Sequence, residues 1–174
     1  NYYRFMKPED MSFPAQVELF SRVPDMIKAD KDMHLTPIPV GEDLSSLSAI
    51  LMNEDYYHYM IDHSEEKDGV RFAKTEALIC LKAKAYLEIN ERIKNGSTED
   101  SRHLKKHKSD VFRLAVLLNE NELFELPESI KYDMQQFFDS VKDELPDKDI
   151  YRRMRAGDLD SEKVYHQLVR SFLI

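Results

Sequence analysis

Residues 75–94 read TEALICLKAKAYLEINERIK, a run free of proline and glycine with apolar side chains at helical spacing. At about 100° per residue, Leu78, Ala85, Tyr86, Ile89 and Ile93 fall within one arc, flanked by Leu81. Lys84 points to a polar side with Glu88 and Glu91, whereas Lys82 projects from the middle of the apolar arc. Thr75 is placed to cap this helix and Asn95-Gly96 to close it. Downstream, a second helix is expected from Ser97–Asp100 to Glu120, and a third over Glu128–Glu144, between Pro127 and Pro146. Two short helices near 147–156 and 160–173 follow, around a break at Ala156-Gly157-Asp158.

Upstream the character changes. Tyr2-Tyr3-Arg4-Phe5-Met6 is rich in strand formers, and Lys7-Pro8-Glu9-Asp10 ends it with turn residues. After Pro14, residues 15–22 (AQVELFSR) alternate as a second strand antiparallel to the first, and Pro24 stops it. Residues 25–34 are polar and suit a loop or a short helix. Two prolines confine residues 35–40 (LTPIPV) to an edge strand or an extended segment. Residues 45–51, after a Gly41-Glu42-Asp43 turn, fit strand or helix, with strand preferred. Asn53 caps a helix over Glu54–Met60, and Asp68-Gly69 turns into a short strand at Val70–Ala73. The expected fold class is α+β: a small mixed or antiparallel sheet on the N-terminal side, followed by a helical bundle.

Composition bounds the function. The 42% apolar and 33% charged residues, with only 4 Gly and 7 Pro, permit a hydrophobic core and exclude collagen-like or disordered classes. A sandwich or barrel would need far more turn glycine, which favours helix. The single Cys80 excludes an internal disulfide framework and a cysteine-rich zinc site, so a reducing cytoplasm is the expected compartment. No run of about 18 apolar residues is present, so no membrane span is expected. The net charge of -8, from 25 Lys plus Arg against 33 Asp plus Glu, argues against a general nucleic-acid coat.

Three places carry chemistry. Lys82 within an apolar face needs either a route to solvent for its ammonium or an anionic partner, a carboxylate or a phosphate. On the next helix Leu104, Val111, Leu114, Ala115 and Leu118 form the core stripe, with His103, His107 and Asp110 along its edge. The i, i+4 histidines suit either a metal ion or a solvated helix edge. The surrounding Arg102-His103-Leu104-Lys105-Lys106-His107-Lys108 is the most basic stretch of an acidic chain, fit to steer a nucleotide or RNA phosphate or simply to face water. Glu18 lies on a strand between Val17 and Leu19, where an acid holds a divalent cation or faces solvent.

Taken together, these places resemble the abortive-infection type nucleotidyltransferase toxin family (AbiEii/AbiGii), within the larger nucleotidyltransferase superfamily. Ala77-Leu78-Ile79-Cys80-Leu81-Lys82-Ala83-Lys84-Ala85 is similar to that family's helical lysine motif: a lysine, an apolar residue, any residue, an alanine. Lys106-His107-Lys108-Ser109-Asp110-Val111-Phe112-Arg113-Leu114 resembles the downstream motif, in which Asp110 matches the second acid and His107 stands where the first is expected. Gln16-Val17-Glu18-Leu19-Phe20 resembles the strand that carries a metal-binding carboxylate, with Glu18 in place of the usual aspartate. The family's Gly-Ser turn and Asp-x-Asp strand have no counterpart among these residues. The resemblance therefore covers residues 1–120, the later part of a nucleotidyltransferase-like domain, with 121–174 a helical extension packed on it. A catalytic segment upstream of Asn1, or a degenerate relative, is the corresponding expectation.

The resemblance implies transfer of a nucleoside monophosphate from a nucleoside triphosphate to an acceptor, RNA or protein, with Mg2+. Lys82 and Lys108 would bind the triphosphate, Asp110 would orient Lys82 or act as a base, and Glu18 would hold metal. By itself the chain would be inactive. Two other readings stand beside this one: a non-catalytic module with an antitoxin-like protein partner, and a metal-binding helical protein using His103, His107 and Glu18.

Overall fold

The computed structural model describes residues 4–12, 16–18, 20–22, 35–37, 48–96, 101–157 and 159–174. The protein is mixed α+β and mostly helical. It divides into two units, Asn1–His58 and Tyr59–Ile174. The boundary falls inside helix α1 (Glu54–Asp62). The segments expected as a loop or helix at 25–34 and as a turn at 41–43 lie outside the described residues, as does the start of the second long helix at 97–100.

In the first unit, strand β1 (Arg4–Met6) pairs antiparallel with β2 (Gln16–Glu18), placing Phe5 opposite Val17. The bend after β1 is held by Asp10, whose Oδ1 accepts from Ser12 N at 2.9 Å and from Ser12 Oγ at 2.7 Å. The single strand expected over 15–22 is two strands. β3 (Phe20–Arg22) leaves the β1 ladder and pairs parallel with β5 (Ser48–Met52). Parallel pairing joins residues distant in sequence, so local alternation carries no sign of it. β4 (Leu35–Pro37) pairs antiparallel on the other side of β5, giving the order β3-β5-β4. Pro37 thus sits on an edge strand, where its missing donor is tolerated. Asn53 caps α1 as expected, its Oδ1 accepting from Asp55 N at 2.8 Å.

The second unit opens with a hairpin of which sequence reasoning supplied only half. β6 (Ser64–Lys67) pairs antiparallel with β7 (Val70–Ala73). Asp68 at φ +53° and Gly69 at φ +76° both adopt the left-handed conformation that a two-residue type I′ turn requires. Ser-Glu-Glu-Lys has no apolar alternation, so β6 carries no strand pattern in the sequence.

Helix α2 (Thr75–Lys94) follows. Its cap is the extended Lys74, and Thr75 is the first helical residue rather than the cap. Asn95 and Gly96, at φ +88°, close it as expected. Its buried face consists of Glu76, Ala77, Ile79, Cys80, Ala83, Tyr86 and Ile89. The expected arc is therefore rotated by roughly a third of a turn, and Lys82 lies at the flank of the buried face rather than in its middle. Leu78, Leu81, Ala85 and Ile93 are half-buried, so α2 is apolar around most of its circumference and periodicity alone leaves its orientation undecided.

Helix α3 (Ser101–Ala115) stops before the expected Glu120. Three successive bonds to residues three back, ending with Leu118 N to Ala115 O at 3.1 Å, tighten the chain into a turn that buries Leu118. α4 (Glu128–Val141) begins after Pro127, and α5 (Asp149–Arg153) and α6 (Ser161–Ser171) complete the unit. Asp160 caps α6 by accepting from Glu162 N at 3.0 Å. α2 packs on α3 and α4, and α3 packs on α6 and α5. The division expected at residue 120 thus falls inside this unit, where the helices after 120 share a core with α2 and α3. That core is aromatic: Phe137 meets Tyr86 edge-on at 5.2 Å, and Phe138 meets Tyr165 at 5.7 Å. No helix among the described residues is long and apolar enough to cross a membrane.

Candidate functional site

Packing α3 against α2 brings two of the expected residues together. Lys82 Nζ lies 3.5 Å from Asp110 Oδ2. Arg113, one turn beyond Asp110 on α3, places Nη1 3.2 Å from the other carboxylate oxygen. One carboxylate thus holds two cations. Lys82 keeps 34% of its side chain exposed and Asp110 19%, so the pair sits at the rim of the core and not within it. An anionic partner and a route to solvent both stabilise the Lys82 ammonium. Arg113 was not among the expected residues, although its i+3 spacing from Asp110 was the available signal.

His107, one turn before Asp110, completes the cluster. Its Nδ1 is buried without a hydrogen-bond partner. Burial, and then the charge of Lys82, hold its pKa below the usual histidine range, with smaller contributions from Lys106 and His103, while Asp110 opposes the shift. At neutral pH the imidazole is uncharged. Two cations and one carboxylate leave the cluster a net single positive charge, accessible from solvent on the Lys82 side. That is a setting for one further anion, such as a phosphate oxygen.

Within the second unit, the other expected residues go elsewhere. Lys108 is two positions from Asp110, about 200° around the helix, and is buried at 8% exposure. Its Nζ donates to Glu144 O at 2.7 Å, with Glu144 Oε2 at 3.7 Å. The ammonium expected on a triphosphate therefore completes the carbonyl end that follows α4. Lys84, expected on a polar side with Glu88 and Glu91, pairs with Asp133 of α4 at 3.0 Å. Glu18 ends β2 in the first unit, opposite Arg4. His103 is exposed. Among the described residues, no three His, Cys, Asp or Glu side chains converge to hold a metal ion. Asp110, shared by two cations, does not make a magnesium site by itself.

A second titratable cluster, with no motif in the sequence, forms around His63. His63 Nδ1 lies 3.0 Å from Glu76 Oε1, its ring stacks on Tyr59 at 4.0 Å, and its carbonyl accepts from Lys74 N at 2.8 Å. It therefore ties α1, the hairpin and the first turn of α2 together. Burial raises the pKa of Tyr59, with Cys80 and Glu76 adding to it, and burial followed by Glu76 raises that of the Cys80 thiol. Cys80 stays protonated and is no nucleophile. No protein-family model, curated protein or solved structure matches the chain.

Proposed function

We propose that this chain carries the phosphate-facing part of a nucleotidyltransferase-like site, with Lys82 neutralising a nucleoside triphosphate and Asp110 positioning Lys82 for it. The observation that carries this reading is the Lys82–Asp110–Arg113 cluster, a partly exposed site with one positive charge in excess on a net acidic protein. It agrees with the resemblance of residues 77–85 and 106–114 to the AbiEii/AbiGii motifs. Lys82 is the residue that meets the phosphate; Asp110 and Arg113 act through it. Magnesium belongs to the proposal through the resemblance alone, which gives Glu18 as its ligand. An RNA or protein acceptor would approach from the exposed side of Arg102, Lys105 and Lys106.

Equilibrium dialysis with labelled nucleoside triphosphates, with and without magnesium, tests the binding half. Lys82→Ala is expected to weaken binding by about tenfold, the loss of one charge-assisted contact. Equal binding by wild type and Lys82→Ala would remove the lysine role. Label transfer to added RNA or protein by the full-length protein tests the catalytic half, because by itself the chain would be inactive. A non-catalytic interaction module with an antitoxin-like partner is the second reading, favoured by His107 at the position of the first acid and by the commitment of Asp110 to two cations. Nucleotide binding without label transfer by the full-length protein would favour that module.

A further inference from the structure

We infer that the groove between the segment entering α4 and the C-terminal end of α6 is a docking surface for a basic peptide segment bearing a leucine- or phenylalanine-sized anchor. Phe124, Leu126, Phe172 and Leu173 line an open depression of about 210 Å³. Its walls are fixed to each other. Phe124 N donates to Ser171 O at 2.7 Å, and the rings of Phe124 and Phe172 stand 5.3 Å apart. Leu173 remains 48% exposed and the neighbouring Leu123 58%. The depression is smaller than a typical small-molecule pocket, which begins at about 300 Å³. It suits a side chain presented by a polypeptide better than a metabolite.

Charge defines the partner. Residues 119–128 read NENELFELPE, four glutamates without a single cation. Glu125 and Glu128 stand on the groove itself, both exposed and without an ion-pair partner among the described residues. Lys131 is the one cation of the lining, at the α4 side. An uncharged apolar partner would strip water from these carboxylates without replacing it. A lysine- or arginine-flanked anchor would pair with them while its apolar side chain fills the depression.

The test is fluorescence anisotropy of the whole chain with a labelled peptide of alternating lysine and leucine. Glu125→Lys/Glu128→Lys is expected to weaken binding by about tenfold or more. Leu173→Asn should weaken it by about threefold or more, because asparagine keeps the left-handed backbone at φ +54° while removing the apolar contact. A lysine–serine peptide should bind much more weakly than the lysine–leucine one. Reversal of two remote acids, Glu65→Lys/Glu162→Lys, should change affinity by less than about twofold. Absence of binding, equal loss in the remote double reversal, or undiminished binding of the lysine–serine peptide would each overturn the proposal. So would self-association abolished by the groove reversal, which would make a second copy the occupant. Far-ultraviolet circular dichroism checks that each variant folds, and Glu125→Gln/Glu128→Gln replaces the reversal if it does not.

Discussion

Asp110 matters more to the fold than Lys82 does, because it is the shared anion of two cations and is the more buried partner. Asp110→Asn leaves Lys82 and Arg113 facing each other across a neutral amide, and is expected to cost about 1–3 kcal/mol in urea unfolding. Lys82→Met keeps the packed stem and leaves Arg113 on Asp110, so its cost should stay below about 1 kcal/mol, as for partly exposed pairs. A larger cost for Lys82→Met than for Asp110→Asn would reverse this ranking. His107 adds a pH dependence whose sign follows from its depressed pKa. The unfolded chain takes up the imidazole proton before the folded one does. The stability that His107 contributes is therefore present above about pH 6.5 and is lost as pH falls from there through the folded-state value. His107→Gln, which cannot titrate, should flatten that part of the Tm profile; an unchanged slope would assign the proton uptake to another group. The sequence marked Lys82 because lysine in an apolar helix needs an anion or a route to solvent, and tied Asp110 to it only through the motif resemblance. It could not mark Lys108 as structural, since only the fold brings Glu144 O to its ammonium.

The interplay of α3 with the end of α4 shows what an element-scale contact is worth. Lys108 crosses from the buried face of one helix to the carbonyl that follows another, and its exposure is low. Lys108→Met keeps the aliphatic stem and removes the charge-assisted bond, leaving Glu144 O without that donor. A loss of about 1–3 kcal/mol is expected in chemical denaturation. A loss below about 0.5 kcal/mol would place Lys108 with ordinary surface residues. Helix ends were legible where Asn53 caps by its own oxygen and Gly96 takes a left-handed conformation, whereas the cap expected at Thr75 falls at Lys74. They were illegible where tertiary packing decides. Residues 116–118 favour helix, yet the chain turns there to bury Leu118. The face of α2 was misjudged for a related reason. Glu76, a charged residue, is buried beside its bond to His63, and that contact depends on a hairpin whose first strand has no apolar pattern.

Across the whole molecule, the helix-rich, glycine-poor composition foretold the second unit far better than the first. The parallel pairing of β3 with β5 joins Phe20 to Ile50 and leaves no trace in local alternation. The second unit is organised instead by contacts that composition does suggest, because its core draws on aromatics from consecutive helices. α4 is the centre of that arrangement: Phe137 reaches Tyr86 on α2, while the adjacent Phe138 reaches Tyr165 on α6. Phe137 is fully buried, and its ring also lies 5.6 Å from that of Phe138. Phe137→Ala opens a cavity bounded by two rings that cannot both move inward without losing their edge-on geometry. A cost of about 3–5 kcal/mol is therefore expected, with Tyr86 losing its near-ultraviolet dichroism. Phe137→Leu refills most of the volume and should cost less than about 1.5 kcal/mol. If the two substitutions cost the same, the interior around α4 relaxes freely, and the aromatic chain from α2 to α6 is not what orders this unit.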